Sequence, residues 1–481
     1  MQKEEIAEIV SEVLKRLDAD GPAGADGVGV PDRRFSGSSS DFVFSDLEQA
    51  VSVCGRAQEV FQELGLEQRD RIIGAMRKAA VENAQALARM AREETGMGRY
   101  EDKIQKNLLA ATKTPGVECL RAEAYTGDKG LTLVEYAPFG IVGAVTPSTN
   151  PTSTVINNAI SILAAGNGVV FAPHPASKKC SREAMRVLNE AIVSAGGPSG
   201  LIVTIDPPSQ DNARAVLAHP KVRVNIVTGG PAIVKVAMTI GKACKTIAAG
   251  PGNPPVVVDE TADIGKAAAD VISGASFDNG VLCTAEKEVL VVSAIRDRFL
   301  EALRRDPRAY ELTAAQMDAL AKVAIIEGGV GCREPKLNRD FVGKDAAVIA
   351  KGIGLSIPAE KRLLWGFVPN DHPYVWTEQL MPVLPVTEVP DVDAAIELAY
   401  KVEGEHHTAV MHSRDIEHLT RMGRRMACSI YVKNAPSFYG LGMGEGYATL
   451  SIGTPTGDGL TKATHFVRPL HCCLVGYGRI A

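Results

Sequence analysis

The sequence lacks several features that would assign it to a broad class at once. None of its apolar runs reaches the roughly 20 residues that a membrane-spanning helix needs. Its first residues lack the basic stretch followed by an apolar one that marks a secretory signal. Charges of one sign form no long block, and the formal net charge is only -5, so no electrostatic surface for nucleic acid is expected. We therefore expect a cytoplasmic protein without a membrane or nucleic-acid partner.

Cysteine is present without the spacings that metal sites and disulfide frameworks need. The nine cysteines form no CxxC pair and no paired-ligand spacing with the histidines, so we expect neither a zinc site nor disulfides. The adjacent His406 and His407 do not change this expectation, because neighbouring side chains point differently and no third ligand is evident. Most of the cysteines are expected to be small buried hydrophobic residues.

The first segment predicts an amphipathic helix over residues 1–18. Its apolar residues recur at three- and four-residue spacing; they are Ile6, Ile9, Val10, Val13, Leu14 and Leu17. A segment rich in Gly, Ser and Asp follows and predicts a flexible linker over residues 19–44. We expect the linker to keep the apolar stripe from docking on the main body, so that the helix binds a partner. The alternative is that the helix folds back on its own domain or on a neighbouring subunit.

The remaining chain has the pattern of an α/β protein, and we find no internal repeat. Helical periodicity runs from Ser45 to about Arg99. From Pro138, short apolar strands alternate with helical segments, which predicts βαβ units on a parallel sheet with a nucleotide at the carboxyl ends of the strands. A second apolar series predicts another α/β body from about Gly250 to Gly440.

Two predicted strand-to-helix turns contain candidate ligand-binding residues. In "TPSTNP", Asn150 follows a strand and precedes a helix N-terminus, where its amide is placed to donate to an oxyanion; the alternative is that it only stabilises the turn. In "TGGP", the residues Thr228, Gly229 and Gly230 open a helix, and the glycines let a cofactor approach the backbone closely. The stretch is not GxGxxG, so the usual pyrophosphate cradle is not predicted.

One cysteine stands apart from the others by its surroundings. In "SFDNGVLCTAEKE", Cys283 lies among small residues just before an acidic and basic pair. A buried core thiol and a displayed nucleophile are both compatible with this stretch alone. Glu286 and Lys287 are better interpreted as residues of a strand entry than as acid/base groups.

Together these stretches resemble the aldehyde dehydrogenase superfamily, and within it the CoA-acylating acetaldehyde and propionaldehyde dehydrogenases found as bacterial microcompartment cargo. The resemblance covers nearly the whole chain. Its motifs occur in the order of the family: "TPSTNP", "PHPAS", "TGGP", "AAGPGNPPVVVDE", "FDNGVLCTAEKEVLVV", "EQLMPVLPV" and "TPTGDGLT".

The resemblance implies a role for each candidate residue. Cys283 is implied as the nucleophile that forms a thiohemiacetal and then a thioester, and Asn150 as a donor to the oxyanion. Ala248 stands where hydrolytic relatives carry a water-activating glutamate, which favours transfer of the acyl group to coenzyme A. The implied NAD-binding residues are Thr146, Pro147, His174, Thr228, Gly229, Gly230 and Glu378.

Two of these cofactor assignments carry a further implication. Glu378 is implied to hold the nicotinamide ribose, the alternative being an exposed loop carboxylate. His174 stands where hydrolytic relatives often have a lysine that reaches the adenosine ribose, which leaves NAD and NADP both open.

The resemblance also implies the architecture. We expect a Rossmann-type cofactor domain over residues 45–249 with an oligomerisation segment at about 120–135, a catalytic domain over 250–440, and a C-terminal return and oligomerisation tail over 441–481. A homodimer or homotetramer is expected.

The expected reaction is CoA-dependent oxidation of a short-chain aldehyde, propionaldehyde first, to acyl-CoA with NAD. The expected setting is propanediol metabolism within a bacterial microcompartment, with the N-terminal helix bound to the shell or to other cargo. A hydrolytic aldehyde dehydrogenase and a non-catalytic scaffold protein are the alternatives.

Overall fold

The computed structural model describes residues 3–19, 42–332 and 334–480. The helices are α1 Lys3–Ala19, α2 Leu47–Gln62, α3 Leu66–Glu82, α4 Ala84–Thr95, α5 Tyr100–Lys113, α6 Pro151–Ala164, α7 Lys178–Ser194, α8 Gln210–Ala218, α9 Pro231–Met238, α10 Ile264–Ser276, α11 Arg296–Arg305, α12 Ala314–Ala324, α13 Ala346–Lys351, α14 Val392–Glu403 and α15 Ile416–Met426. No helix within these ranges combines the length and the apolar character of a membrane span.

The strands follow the alternating pattern expected for an α/β chain. They are β1 Val43–Phe44, β2 Glu123–Gly127, β3 Gly130–Pro138, β4 Ile141–Thr146, β5 Gly168–Pro173, β6 Ile202–Ile205, β7 Val222–Thr228, β8 Lys245–Ala249, β9 Pro255–Val258, β10 Glu288–Val292, β11 Ala309–Glu311, β12 Ile325–Glu327, β13 Lys336–Leu337, β14 Leu363–Phe367, β15 Val383–Val389, β16 Thr408–His412, β17 Ile430–Lys433, β18 Ile452–Gly453, β19 Gly459–Leu460 and β20 Val467–Val475.

The chain divides into two compact units. The first comprises residues 1–94, 104–249 and 447–481, and the second comprises 95–103 and 250–446. The chain passes from the first unit to the second after Ala249.

The first unit contains a six-stranded parallel sheet in the order β1-β6-β5-β4-β7-β8. The chain fills the sheet from β4 outward through β5 to β6 and then returns to place β7 on the other side of β4. The strand order therefore reverses next to β4, and in an open parallel sheet a ligand binds at the carboxyl edge of such a reversal. Helix α6, which follows β4, is buried along its whole length, as its apolar sequence requires.

A separate antiparallel sheet of the first unit has the order β2-β3-β20. Most residues of β2 and β20 are exposed. Edge strands present unpaired backbone groups that can pair with a further strand.

The second unit contains a seven-stranded parallel sheet in the order β11-β14-β15-β10-β9-β16-β17. The central strands β9 and β10 are buried throughout, and their Val-rich sequences are typical of strands covered on both faces. Cys283 lies five residues before β10, so the sheet core fixes the end of the segment that carries this cysteine.

The N-terminal helix departs from the expectation of an undocked stripe. Helix α1 lies against α3, and Ile6 is buried, whereas Ile9 is 40% exposed. The burial of apolar side chains favours docking of the stripe, and the composition of the segment that follows does not exclude it. Residues 20–41 of the expected linker lie outside the described residues. The expected linker end at residue 44 was wrong, because Val43 and Phe44 form a strand that pairs with β6.

Candidate active site

The carboxyl edge of the first unit's sheet carries the residues expected to bind the cofactor, except Glu378, which belongs to the second unit. Thr146 ends β4, and its carbonyl accepts a hydrogen bond from the backbone N–H of His174, which follows β5. Thr228 ends β7 on the other side of β4. The candidates from three separate turns thus meet where the strand order reverses, which is where a dinucleotide binds in sheets of this type.

Two features of this edge fit a bound dinucleotide. The buried hydroxyl of Thr146 has no hydrogen-bond partner, and buried polar groups are normally satisfied. Gly230 caps the N-terminus of α9 without a side chain, and a Cβ there would meet open space. Backbone N–H groups at a helix N-terminus favour a negatively charged ligand such as a phosphate. Pro147 continues the turn after Thr146, while the side chain of His174 is exposed and its Nδ1 accepts from Ala176.

Asn150 occupies the N-cap position of α6 but does not use its side chain as a cap. Its Oδ1 instead accepts a hydrogen bond of 2.5 Å from Nζ of the buried Lys106 on α5. Its Nδ2 donates to Oγ1 of Thr149 at 3.2 Å. A capping asparagine accepts from the first turn of its helix, and the side chain of Asn150 does not.

The backbone leading to Cys283 adopts an unusual conformation. Three successive residues, Asp278, Asn279 and Gly280, have φ angles of 47°, 55° and 68°, and only glycine adopts this region without strain. Asp278 is held by Nζ of the buried Lys103 at 3.1 Å and by the backbone N–H of Arg99 at 2.6 Å. These contacts offset the strain and fix the approach to Cys283, which is half-buried.

Gly280 and Asn279 complete this segment. A Cβ at Gly280 would lie 2.8 Å from the carbonyl oxygen of Met381, so the position requires glycine. The amide of Asn279 donates to the carbonyl of Gly343 at 3.0 Å and to Asp345 Oδ1 at 2.9 Å.

Lys287 binds the backbone of the segment around Cys283 from the C-terminal side. Its buried Nζ donates to the carbonyls of Gly280 at 2.6 Å and Leu282 at 3.2 Å. Burial lowers the pKa of Lys287, and the neighbouring Glu378 and Cys283 oppose that shift. A cation near a thiol stabilises the thiolate. Lys287 therefore has the structural role expected for it, and it lies close enough to Cys283 for the two groups to interact electrostatically.

Glu378 is half-buried and not a free surface carboxylate. Burial raises its pKa to about 7, while Lys287 and the backbone N–H of Gly252 oppose the shift. The next residue, Gln379, is buried, and its Nε2 donates to the carbonyl of Lys287 at 3.0 Å. The loop that carries Glu378 is thereby attached directly to the segment that follows Cys283.

The structure places His407 beside the backbone of Cys283, a proximity that the sequence patterns do not indicate. A Cβ on Gly252 would lie 2.7 Å from Cγ of His407 and 3.0 Å from the carbonyl oxygen of Cys283, so the glycine allows the imidazole and the Cys283 backbone to approach one another. Burial lowers the pKa of His407 to about 4, and Lys287 acts in the same direction. Its Nδ1 lies 2.8 Å from Oγ1 of Thr408, and its buried Nε2 has no partner. The ring is neutral at pH 7 with one nitrogen available.

Ala248 lies inside β8 of the first unit, fully buried, and its backbone N–H donates to Oγ1 of Thr456. Thr456 belongs to the "TPTGDGLT" motif and donates in turn to Asp458 at 2.6 Å. The motif therefore secures the strand that carries Ala248.

Glu286 is also buried, and its carboxylate accepts from the N–H and the hydroxyl of Ser437 at 2.8 and 2.7 Å. Burial raises the pKa of Glu286 to about 7. The contact anchors the start of β10, in agreement with the interpretation of Glu286 as a strand-entry residue.

Comparison with known proteins identifies what this arrangement is similar to. The model of the aldehyde dehydrogenase family matches residues 37–447. An acetaldehyde dehydrogenase (acetylating) from Bilophila wadsworthia is 46% identical, over 100% of this chain and 99% of the relative.

Two solved structures extend the comparison. A propionaldehyde dehydrogenase from the fucose utilisation bacterial microcompartment of Clostridium phytofermentans is 40% identical, with a TM-score of 0.87, over 91% of this chain and 99% of the other. The propionaldehyde dehydrogenase of Rhodopseudomonas palustris, with bound CoA and an acylated cysteine, is 44% identical, with a TM-score of 0.86, over 91% and 99%.

Proposed function

The chain belongs to the aldehyde dehydrogenase family and is a CoA-acylating member of it, and from this premise we propose that it oxidises propionaldehyde with NAD and coenzyme A to propionyl-CoA. The observation that carries the proposal is the half-buried Cys283, held on a strained segment between Lys103 and Lys287 with Glu378 and His407 nearby. A thiol that served only as core packing would need none of these charged and polar neighbours.

In the first half of the reaction, the Cys283 thiolate attacks the aldehyde carbon and the carbonyl oxygen becomes an oxyanion. The Asn150 amide and the Cys283 backbone N–H are the donors that stabilise this charge. When bound, NAD supplies the acceptor for the hydride that leaves the former aldehyde carbon. Cys283 then carries a thioester.

The proposed cofactor-binding residues lie in separate loops. The turns after β4, β5 and β7 contribute Thr146, Pro147, His174 and Thr228 to Gly230, and the loop before β15 contributes Glu378. The unpartnered Thr146 hydroxyl and the open helix N-terminus at Gly230 support this assignment. We propose NAD over NADP, and the ratio of kcat/KM for the two nucleotides tests the choice.

In the second half of the reaction, the thiol of coenzyme A loses its proton to a general base, its sulfur attacks the thioester carbon, and the bond to Cys283 breaks so that the Cys283 thiolate leaves. We assign His407 as this base, because its neutral imidazole has an available Nε2 and approaches the Cys283 backbone. An alanine at 248, where hydrolytic relatives carry a glutamate, supports transfer to coenzyme A over attack by water.

The chain length of the aldehyde is part of the proposal. The relatives compared above act on acetaldehyde in one case and on propionaldehyde in two. We propose propionaldehyde as the preferred substrate and propanediol metabolism as its source. The measurement is kcat/KM for aldehydes of two to four carbons, where one methylene is worth about 1–3 kcal/mol, and a preference for acetaldehyde contradicts this part.

We further propose that the enzyme works inside a bacterial microcompartment. The solved microcompartment relative supports this setting, and the amphipathic α1 is the segment assigned to binding the shell or other cargo. The exposed edge strands β2 and β20 are proposed to pair subunits into a homodimer or homotetramer.

The deciding test replaces the nucleophile. Cys283→Ala should abolish propionyl-CoA formation while nucleotide binding and thermal stability stay nearly unchanged, because the change removes the thiolate and little volume. Cys332→Ala, at another half-buried thiol, is the matched control and should retain activity. Turnover in Cys283→Ala contradicts the proposal. Formation of carboxylate from aldehyde and NAD without CoA would indicate the hydrolytic alternative. A failure of Cys283 to react with iodoacetamide would indicate the non-catalytic scaffold protein.

A further inference from the structure

We propose that Lys106 is a positioning residue that sets the orientation of the Asn150 amide and strengthens it as an oxyanion donor. The inference rests on the proposed function, in which Asn150 stabilises the oxyanion. It adds a residue that no sequence motif singled out and that touches Asn150 directly within the first unit.

The contact determines which end of the amide faces Lys106. An ammonium group has three donors and no acceptor, so the atom that lies 2.5 Å from Nζ of Lys106 must be the carbonyl oxygen of Asn150. The two ends of an amide have nearly the same shape, and other surroundings leave its orientation open. Here Lys106 excludes the flipped amide, which would direct a carbonyl oxygen toward the developing negative charge.

The remaining donors of the amide then match the proposed role. One N–H of Asn150 Nδ2 is used by Oγ1 of Thr149 at 3.2 Å. The other has no partner within the described protein and is available to an oxyanion. The positive charge of Lys106 polarises the amide through its oxygen, which strengthens the N–H groups as donors.

Lys106 itself is held firmly. Its side chain is buried, so few rotamers are open to it. The next residue on α5, Asn107, accepts from Oγ1 of Thr152 in the first turn of α6 at 2.8 Å. Further along, Thr114 accepts from Nδ2 of Asn157 at 2.8 Å. These contacts fix α5 against the start of α6, and therefore fix Nζ relative to the amide.

The test is a double-mutant cycle between the two residues. Asn150→Ala should lower kcat by about 10²–10³. Lys106→Met, which keeps the unbranched shape but lacks the terminal donor, should lower kcat by about 10- to 100-fold with little change in the KM for aldehyde. In the Asn150→Ala background, Lys106→Met should cause almost no further loss, because Lys106 acts through Asn150. Lys113→Met, at an exposed position of the same helix, is the matched control and should keep the wild-type kcat.

The outcomes separate the inference from the function on which it rests. Losses that multiply in the double variant overturn the inference, since they show that Lys106 acts independently of Asn150. If Asn150→Ala loses rate and Lys106→Met does not, the inference alone fails. If Asn150→Ala keeps its rate, the proposed role of Asn150 fails and the inference falls with it. Lys106→Gln keeps a donor without the charge and serves as a second variant in case Lys106→Met misfolds. Lys106→Gln should lower kcat less than Lys106→Met does, and in the Asn150→Ala background it should cause no further loss. A wild-type kcat in Lys106→Gln overturns the inference.

Discussion

Single side chains around Cys283 have separable tasks. Lys287 binds the loop carbonyls, Gln379 fixes the loop of Glu378, and His407 offers an unpartnered nitrogen. Because the proposed reaction has two halves, kinetics that resolve the halves can test the role of a single residue.

His407→Gln provides such an assignment. Because the first half of the reaction ends with the thioester on Cys283, the variant should still give a burst of NADH in one turnover. Steady-state formation of acyl-CoA should fall by about 10²-fold, the scale of lost general-base assistance. Rapid-mixing absorbance at the NADH band measures both quantities.

The pH profile supplies the control for this prediction. The pKa of His407 lies at about 4, so the ring stays neutral and its role should not change between pH 6 and pH 8. A variant that loses the burst and the steady-state rate equally would assign His407 to the structure of the Cys283 segment and not to acyl transfer.

At the scale of elements, strand β16 contains a histidine whose burial makes the free energy of unfolding depend on pH. His412 ends this strand, is buried, and has its pKa lowered to about 4 by burial, with Lys266 acting in the same direction. In the unfolded chain a histidine has a pKa near 6.5. Between these values the unfolded state binds the proton and the folded state does not, so stability is lost as pH falls from about 6.5 to about 4.

Replacing His412 with Leu should remove this loss. The wild type should lose about 2 kcal/mol more than His412→Leu between pH 7 and pH 5, as measured by urea unfolding at both values. His471→Leu, at an exposed position on β20, is the control and should follow the wild type. Parallel pH curves for the wild type and His412→Leu would show that His412 is protonated in the folded state.

The sequence predicts the elements of the two sheets better than it predicts their polar contacts. Buried parallel strands and the helices between them have strong apolar patterns, so the turns with Asn150 and Thr228 fall where expected. The sequence does not predict the burial of Lys106. A periodic pattern identifies one apolar face of a helix and cannot show that a charged residue on another face is buried as well. The two-residue strand β1 has no period to detect, and the docking of α1 depends on α3, far along the chain.

For the whole molecule, the N-terminal helix is the segment whose removal should affect assembly and leave chemistry intact. Deleting residues 1–18 should leave kcat/KM nearly unchanged, because no contact described at the candidate active site involves α1. Thermal stability should fall slightly, since Ile6 is buried against α3. Co-purification with co-expressed microcompartment shells should be lost.

Point variants on α1 refine this prediction. Ile9→Glu changes an exposed apolar residue and should reduce shell binding without lowering the Tm, whereas Ile6→Glu should lower both. Glu8→Ala, at an exposed polar position, is the control. A truncated enzyme that loses activity or changes its oligomeric state would instead assign the helix to the fold or to a subunit interface.

The left-handed segment before Cys283 also bears on the chemical lifetime of the enzyme. An asparagine followed by glycine is prone to deamidation, in which the glycine backbone nitrogen attacks the side-chain amide, and asparagine is counted among the thermolabile residues. In the folded chain, the left-handed conformation of Asn279 (φ 55°, ψ 35°) and the hydrogen bonds from its amide to Gly343 and Asp345 restrict the rearrangement that this attack requires. The folded enzyme should therefore deamidate slowly at Asn279, while urea-unfolded chains should convert Asn279 much faster, as peptide mass spectrometry would detect. A converted chain would place a new carboxylate beside Asp345 and refold poorly, so each excursion to the unfolded state shortens the working life of the molecule.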